Sequence, residues 1–223
     1  MGVRRVLEGD IRKYFDSVNR RRLLELVGAR MGDGVGLRLL SKGLHGGVME
    51  EGQLHYEEAG TPPGGVVSPR LSNSYRHEVF DRWFAEVVRE RMRGRGWAVR
   101  FADDRVIGFT HRKDAERVYR VLFRRFEKYG LKLHPEKTRR VPLGRPEKGG
   151  LDGEPAPEPG TFDFLGFTHY WGKSRKGYWV IQRKTAAQRL RRTLPAIGDW
   201  CRAHRHRGMC DQFKMLVRKL EGH

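Results

Sequence analysis

Cysteine and long apolar runs are both scarce in this sequence of 223 residues, and each scarcity excludes a class of protein. The two cysteines, Cys201 and Cys210, are too few for a disulfide framework, and we expect reduced thiols in a cytoplasmic protein of bacterial type. No run of about 18 apolar residues occurs, so the sequence predicts no membrane-spanning helix. The first residues also lack the apolar segment of a signal peptide.

Acidic residues are few relative to basic ones. The chain has 46 Lys and Arg against 27 Asp and Glu, a formal net charge of +19, which favours a polyanionic partner such as nucleic acid. Residues 171–223 alone hold 14 Lys and Arg against 3 Asp and Glu, so we expect the polyanion along this part. The hydrophobic content of 38% is typical of a folded domain rather than of a disordered chain.

Two adjacent carboxylates lie between two short apolar segments, in the motif FADD at residues 101–104. Trp97, Val99 and Phe101 alternate with other residues and predict a half-buried strand, and residues 105–110 predict a second strand. Asp103 and Asp104 therefore lie at the tip of a predicted hairpin. Because Asp is a common turn residue, this motif alone indicates no more than a turn.

A third carboxylate, Asp10, follows a predicted strand at residues 3–9. Mg²⁺ prefers a few carboxylate oxygens, and nucleotide addition requires two divalent ions close together. If the first strand lies beside the hairpin, Asp10 meets Asp103 or Asp104 and supplies such a site. Close carboxylates without a cation would repel one another, so we expect an ion there.

The remaining pattern predicts helices between short strands, and hence an α+β fold. Asn19 and Asp114 are predicted helix caps and Gly130 is a predicted helix stop. A further helix is predicted to begin at Ser68, and two basic amphipathic helices follow from about residue 185. Residues 48–58 predict a hairpin, whereas 60–69 and 144–160 predict irregular loops.

Five motifs occur in the order found in reverse transcriptases: DIRKYFD at 10–16, GTPPGGVVSP at 60–69, FADD at 101–104, LHPEKT at 133–138 and FDFLGF at 162–167. The sequence most resembles the group II intron-encoded (maturase-type) reverse transcriptases, over nearly its whole length. The resemblance implies an RNA-directed DNA polymerase with a right-hand palm, an antiparallel sheet with helices packed on one face. It also implies that Asp10, Asp103 and Asp104 bind two Mg²⁺ ions, for which Mn²⁺ is a possible substitute.

The resemblance also assigns residues around this triad. Lys137 matches a catalytic lysine near the leaving pyrophosphate, and Phe15 matches the aromatic residue that excludes a 2′-hydroxyl, which favours DNA synthesis. The residues expected to contact substrate are Ile11, Phe15, Pro63, Gly64 and Gly65. The family usually has Gln where Pro63 stands. The primer grip is expected at Phe164, Leu165 and Gly166.

The implied organisation is a palm with primer grip at residues 1–182 and a partial, basic helical thumb at 183–223. Because only nine residues precede Asp10, we expect a truncated form that lacks most of the fingers. The implied partners are an RNA template, a DNA or RNA primer, dNTPs and, for members of this family, group II intron RNA.

Three alternatives stay open from the sequence. The chain is either an active enzyme or a weakly active, maturase-like RNA-binding fragment, and an RNA-dependent RNA polymerase that uses Asp16 on the ribose is disfavoured by Phe15. A zinc site is also conceivable, because Cys, His, His and Cys occur at positions 201, 204, 206 and 210. Their spacing fits no common zinc finger, and helical packing explains them more simply.

Overall fold

The structure, a computed structural model, describes residues 2–12, 14–45, 48–50, 53–55, 68–146 and 159–221. The strands in chain order are β1 Arg5–Gly9, β2 Ile11–Arg12, β3 Val48–Glu50, β4 Gln53–His55, β5 Gly96–Phe101, β6 Asp104–Phe109, β7 Lys132–Leu133, β8 Arg140–Pro142, β9 Phe162–Phe164, β10 Phe167–Lys173 and β11 Trp179–Thr185. The helices are α1 Tyr14–Ser17, α2 Arg20–Met31, α3 Gly34–His45, α4 Ser68–Arg76, α5 Arg112–Lys128, α6 Ala187–His204 and α7 Met209–Glu221. Helix α4 continues through π-helical segments, His77–Arg82 and Phe84–Val88, to a 3-10 turn at Arg89–Arg91.

The central sheet has four antiparallel strands in the order β5-β6-β1-β8. Strand β1 lies between β6 and β8, with Gly9 opposite Arg105 and Leu7 opposite both Ile107 and Arg140. This register brings the C-terminal end of β1 to the start of β6. The two predicted acidic segments therefore meet at one end of the sheet.

Helices cover one face of this sheet. Alternate residues of the central strands, among them Leu7, Ile107 and Phe109, are fully buried on that face. They belong to one apolar cluster with residues of α4 and α5 such as Phe80 and Phe126. The α+β palm architecture with helices on one face, which the sequence predicted, is thus confirmed.

Part of the opposite face is covered by a second sheet, with strand order β11-β10-β9. A smaller cluster of Val6, Val141, Leu143 and Phe162 joins the two sheets. The Trp171 indole nitrogen donates to the Leu143 carbonyl at 3.1 Å across this junction. The cluster thereby fixes the β9-β10 hairpin beside the end of β1.

The prediction of a half-buried β5 with Trp97, Val99 and Phe101 inward is wrong about the face. These side chains are 44%, 55% and 64% exposed, whereas Ala98 packs against the helix-side core. Strand β5 is an edge strand of its sheet, and its odd-numbered residues point away from the helices. Alternation shows which residues share a face, but it does not show which face is covered.

The predicted helix ends have mixed outcomes. Asn19 caps α2 as predicted, because its side chain accepts from the Arg22 N–H at 3.0 Å, and Gly130 follows α5 with a φ of 74°. Asp114 is not an N-cap. Helix α5 begins after His111, and Asp114 is buried in its first turn, where its carboxylate accepts from the backbone N–H groups of the turn at residues 93–94.

Within the described ranges no helix is long and apolar enough to cross a membrane. Strands β3 and β4 form the hairpin predicted within residues 48–58. Residues 60–67 of the predicted Gly- and Pro-rich loop and residues 147–158 of the second loop lie outside the described residues.

Candidate active site

Asp10 and Asp104 line one cavity of about 270 Å³ at the end of the central sheet. Asp10 follows β1 directly, Asp104 is the first residue of β6, and Asp103 lies in the turn between β5 and β6. The antiparallel pairing of β1 with β6 brings Asp10 and Asp104 together, although 93 residues lie between them in the sequence. The cavity is completed by Lys137, Arg139, Glu136, Asp163 and Gln188, among others.

The charges at this end of the sheet act on one another. The pKa of Asp104 is raised, first by partial burial and then by the negative charges of Asp10 and Asp103. A hydrogen bond from the backbone of Leu165 and the charge of Lys137 act in the opposite direction. The negative charges of Asp10 and Asp103 thus disfavour ionisation of Asp104, and a bound cation would relieve this repulsion.

Lys137 contacts one of these carboxylates directly. Its ammonium nitrogen lies 2.9 Å from Asp10 Oδ2. The contact depends on the short ladder between β2 and β7, after which the His134 N–H donates to the Asp10 carbonyl at 2.9 Å. The segment LHPEKT is thereby held against Asp10, and the Lys137 side chain remains 57% exposed at the cavity.

Asp103 is held from the helix side of the sheet. Arg76, in the last turn of α4, donates to Asp103 Oδ1 at 2.5 Å. Ala102, in the same turn, has a φ of 49°, a left-handed conformation that costs a residue with a side chain about 1 kcal/mol or more. Arg105 Nη2 donates to the Asp103 carbonyl at 3.3 Å and supports the strained turn.

The predicted primer grip lies directly beside Asp104. Leu165 and Gly166 form the two-residue turn between β9 and β10 with φ values of 54° and 78°, as in the mirror-image turns that favour hairpins. The Leu165 N–H is the donor to the Asp104 carboxylate. Glu8 on β1 fixes the hairpin, because its carboxylate accepts from both Arg139 and the Asp163 N–H.

Several predicted site residues are not brought to this site by the structure. Pro63, Gly64 and Gly65 lie outside the described residues, as does the side chain of Phe15. Ile11 is 5% exposed and packs in the core, so it does not offer a surface to a substrate in this structure. Their predicted substrate contacts remain predictions.

Two arginines at the site were missed from the sequence. Arg76 and Arg105 are 6% and 2% exposed. Each interrupts an apolar pattern: Arg76 lies four residues before the buried Phe80 in one helix, and Arg105 shares the buried alternation of Ile107 and Phe109. A charged residue at a position where the period requires an apolar one was the available signal.

The zinc alternative does not agree with the C-terminal helices. The His204 ring stacks on Trp200 at 4.6 Å between centroids, and its Nδ1 lies 2.8 Å from the Trp200 carbonyl. Both contacts hold the imidazole within its own helix. The packing explanation of His204 is therefore the better one.

The carboxylates suit Mg²⁺ in kind and in charge. Their oxygens are the ligands that Mg²⁺ prefers, and the charges of Asp10 and Asp103 contribute, after burial, to the raised pKa of Asp104. Within the described part of the chain, no three Asp, Glu, His or Cys side chains already converge into a metal-ligating group. Asp10 and Asp104 line the same cavity, and a few carboxylates completed by substrate phosphates and water are the ligand set that Mg²⁺ takes.

A twisted antiparallel sheet with helices on one face, and acidic residues at the adjoining ends of two central strands, defines the palm of a nucleic-acid polymerase. The chain belongs to the reverse transcriptase (RNA-dependent DNA polymerase) family, whose model matches residues 2–169.

Among curated relatives, the group II intron-encoded protein LtrA of Lactococcus lactis is 38% identical over 78 residues, which cover 35% of this chain and 13% of LtrA. Protein YkfC of Escherichia coli is 37% identical over 109 residues, 43% of this chain and 28% of YkfC. An uncharacterized 91 kDa protein in the cob intron of Schizosaccharomyces pombe is 37% identical over 73 residues, 33% of this chain and 9% of that protein. The chain thus spans less than a third of the length of each of these relatives.

Solved structures agree on the fold. Apo telomerase from Candida tropicalis, truncated from its C-terminal domain, superposes with a TM-score of 0.57 at 14% identity, over 83% of this chain and 36% of the telomerase. Telomerase from Candida albicans in complex with a fragment of telomeric RNA gives a TM-score of 0.54, over 75% of this chain and 29% of that one. At this identity the likeness concerns the fold alone.

Proposed function

We propose that this chain is an RNA-directed DNA polymerase of the group II intron type, which adds deoxynucleotides to a primer 3′-hydroxyl on an RNA template. The observation that carries the proposal is one cavity containing Asp10, Asp104 and Lys137, with the Leu165 turn against it. Family membership and the partial match to LtrA support the reaction class.

Asp10, Asp103 and Asp104 would hold the divalent ions, two of Mg²⁺ with Mn²⁺ as a possible substitute. Bound ions of this kind lower the pKa of a hydroxyl nucleophile and neutralise charge on a triphosphate. The chain itself positions the groups around them. The Leu165–Gly166 turn borders the place where a primer end would approach Asp104, and its backbone donor holds that carboxylate.

Lys137 has a separate role in the proposal. Its ammonium group is exposed at the cavity and bonded to Asp10, within reach of a phosphate bound there. From this place it would neutralise the leaving pyrophosphate or donate a proton to it.

The thumb proposal concerns residues 183–223. Helices α6 and α7 contain no buried residue and carry exposed basic side chains, and Gln188 of α6 lines the candidate active-site cavity. Such side chains bind backbone phosphates without reading sequence. We propose that they hold the template–primer duplex, with residues 1–182 as the palm and primer grip.

Primer extension on poly(rA)/oligo(dT) with Mg²⁺ and dTTP tests the activity. We expect the wild-type chain to extend the primer and Asp103→Ala to lose at least about 1,000-fold, because the metal contributes several kcal/mol to the barrier. Asp211→Ala removes an exposed carboxylate of α7 and should retain wild-type extension. Extension that Asp103→Ala leaves intact would refute the assignment.

A second candidate function is RNA binding without polymerisation, in the manner of a maturase fragment. The exposed basic surface of α6 and α7 favours it, because that surface requires no chemistry at the carboxylates. Filter binding with a steep salt dependence, together with extension at background in the wild type, would support this candidate instead.

A further inference from the structure

Arg76 binds one carboxylate oxygen of Asp103, and it approaches the β5–β6 turn from the helix side of the sheet. Its Nη2 lies 2.5 Å from Asp103 Oδ1, and the arginine side chain is 7% exposed against 43% for the aspartate. The guanidinium therefore approaches from the protein interior, while the aspartate faces solvent. No substrate is needed to form this contact.

The position of Arg76 is fixed by its surroundings. Its guanidinium carbon lies 3.7 Å from the centroid of the Tyr14 ring, a stacked cation–π arrangement. The Tyr14 hydroxyl in turn donates to the Ser72 carbonyl at 2.9 Å, one turn earlier in α4. Arg76 thus cannot follow Asp103 freely if the carboxylate rotates.

A guanidinium on Oδ1 repels any cation approaching that oxygen and leaves Oδ2 as the better ligand. Asp10 shows the same pattern, with Lys137 on its Oδ2. Each of these carboxylates is therefore arranged to offer a single oxygen to an ion.

We propose that Arg76 is a positioning residue that limits Asp103 to one-oxygen coordination and thereby makes the carboxylate site select Mg²⁺ over Ca²⁺. Mg²⁺ requires a compact octahedron in which carboxylates give one oxygen each, whereas Ca²⁺ takes six to eight oxygens and gains from two-oxygen carboxylates. The inference rests on the proposed function only in taking Asp103 as a metal ligand.

Competition binding on the full 223-residue chain tests the inference without nucleotide or primer. Bound and free Mn²⁺ are followed by electron paramagnetic resonance while Mg²⁺ or Ca²⁺ displaces the probe, which gives both dissociation constants. Because both ions carry the same charge, the loss of a nearby positive charge cancels in the ratio of the Ca²⁺ to the Mg²⁺ constant. A change in the number of Asp103 oxygens that bind the ion affects Ca²⁺ and Mg²⁺ differently, so it does change this ratio.

We expect Arg76→Met to lower this ratio by about tenfold, within the range for loss of a group that orients a metal ligand. Arg76→Lys keeps a donor and a charge, and should restore most of the selectivity. Arg70→Met, which removes an exposed arginine from the same helix, should leave the ratio unchanged. In an Asp103→Asn background, Arg76→Met should not change the ratio of the Ca²⁺ to the Mg²⁺ dissociation constant.

A ratio for Arg76→Met within about twofold of wild type overturns the inference, and so does the absence of Mn²⁺ binding by the wild-type chain. If thermal melting shows that Arg76→Met does not fold, Arg76→Gln takes its place with the same expectation. Primer extension is scored separately. Selectivity without extension refutes the proposed function alone, and extension with an unchanged ratio refutes this inference alone.

Discussion

Asp104 lowers the stability of the fold when it is ionised. Its pKa is raised by partial burial and by the charges of Asp10 and Asp103, so the folded chain holds this proton more tightly than the unfolded chain does. Stability from this group is therefore lost as pH rises through the folded-state pKa. Below the unfolded-state value of about 3.9, the penalty is absent.

We expect Asp104→Asn to raise the Tm by about 1 to 2 °C at pH 7.5 in EDTA, a small gain because solvent still reaches this partly buried carboxylate and screens its charge. The gain should vanish toward pH 4, where the wild-type carboxyl becomes protonated. Thermal melts across this pH range measure both effects. Asp199→Asn, at an exposed carboxylate of α6 that pairs with Arg202, should give no gain, and an equal gain there would contradict the explanation.

The acidic residues of the site were accessible to sequence reasoning, whereas their partners were not. Asp10 and the FADD turn were found because each follows a strand-like segment, and Lys137 was found through its motif. The bond from Arg76 to Asp103 joins residues 27 positions apart on a helix and a turn. No local pattern specifies that contact, because it depends on how α4 packs under the sheet.

Strand β6 and helices α4 and α5 enclose Arg105, a buried cation. Its guanidinium lies 4.5 Å from the Phe126 ring centroid and 5.4 Å from that of Phe80, and neither its Nε nor its Nη1 has a hydrogen-bond partner. Burial is the main reason that its pKa is lowered to about 9. A buried cation with so few partners weakens the packing of these elements.

We expect Arg105→Met to increase the free energy of unfolding by about 1 kcal/mol at pH 7, measured by urea denaturation. Because a guanidinium stays charged in proteins, this gain should not change between about pH 6 and pH 8. Arg124→Met, at an exposed position of α5, should be nearly neutral. A large loss of stability in Arg105→Met would show that the cation–π contacts outweigh desolvation.

Elements were easier to predict than the faces they present. The period of α2 and its Asn19 cap sufficed to place that helix, and apolar alternation sufficed to identify β5 as a strand. Which face of β5 is covered depends on the sheet order, in which β5 is at the edge. The sequence predicted Asp114 as an N-cap because an acidic cap and an acidic residue of the first turn look alike in sequence. The structure distinguishes them, since the Asp114 carboxylate accepts from the N–H groups of residues 93–94 and not from its own helix.

The excess positive charge of the whole molecule is concentrated away from the carboxylates. Residues 171–223 hold 14 Lys and Arg against 3 Asp and Glu. The candidate active-site cavity, by contrast, is lined by more acidic residues (Glu8, Asp10, Asp104, Glu136 and Asp163) than basic ones (Arg105, Lys137 and Arg139). A polyanion is thus attracted to α6 and α7 while the carboxylates remain available for cations. Under the proposed function, this division of charge would hold a duplex on α6 and α7 beside the carboxylates.

Arg191 and Arg192 are exposed on α6 and provide the test of that arrangement. If both bind phosphates, replacing both by Ala should reduce the slope of log K against log salt by about 1.4 for single-stranded RNA, since each phosphate contact contributes about 0.7. Filter binding from 50 to about 300 mM NaCl measures the slope. Replacing Arg38 and Lys42, two exposed basic residues of α3, by Ala removes the same total charge and should leave the slope unchanged. Equal losses from the α6 pair and the α3 pair would mean that RNA binds through net charge alone, without a surface on the C-terminal helices.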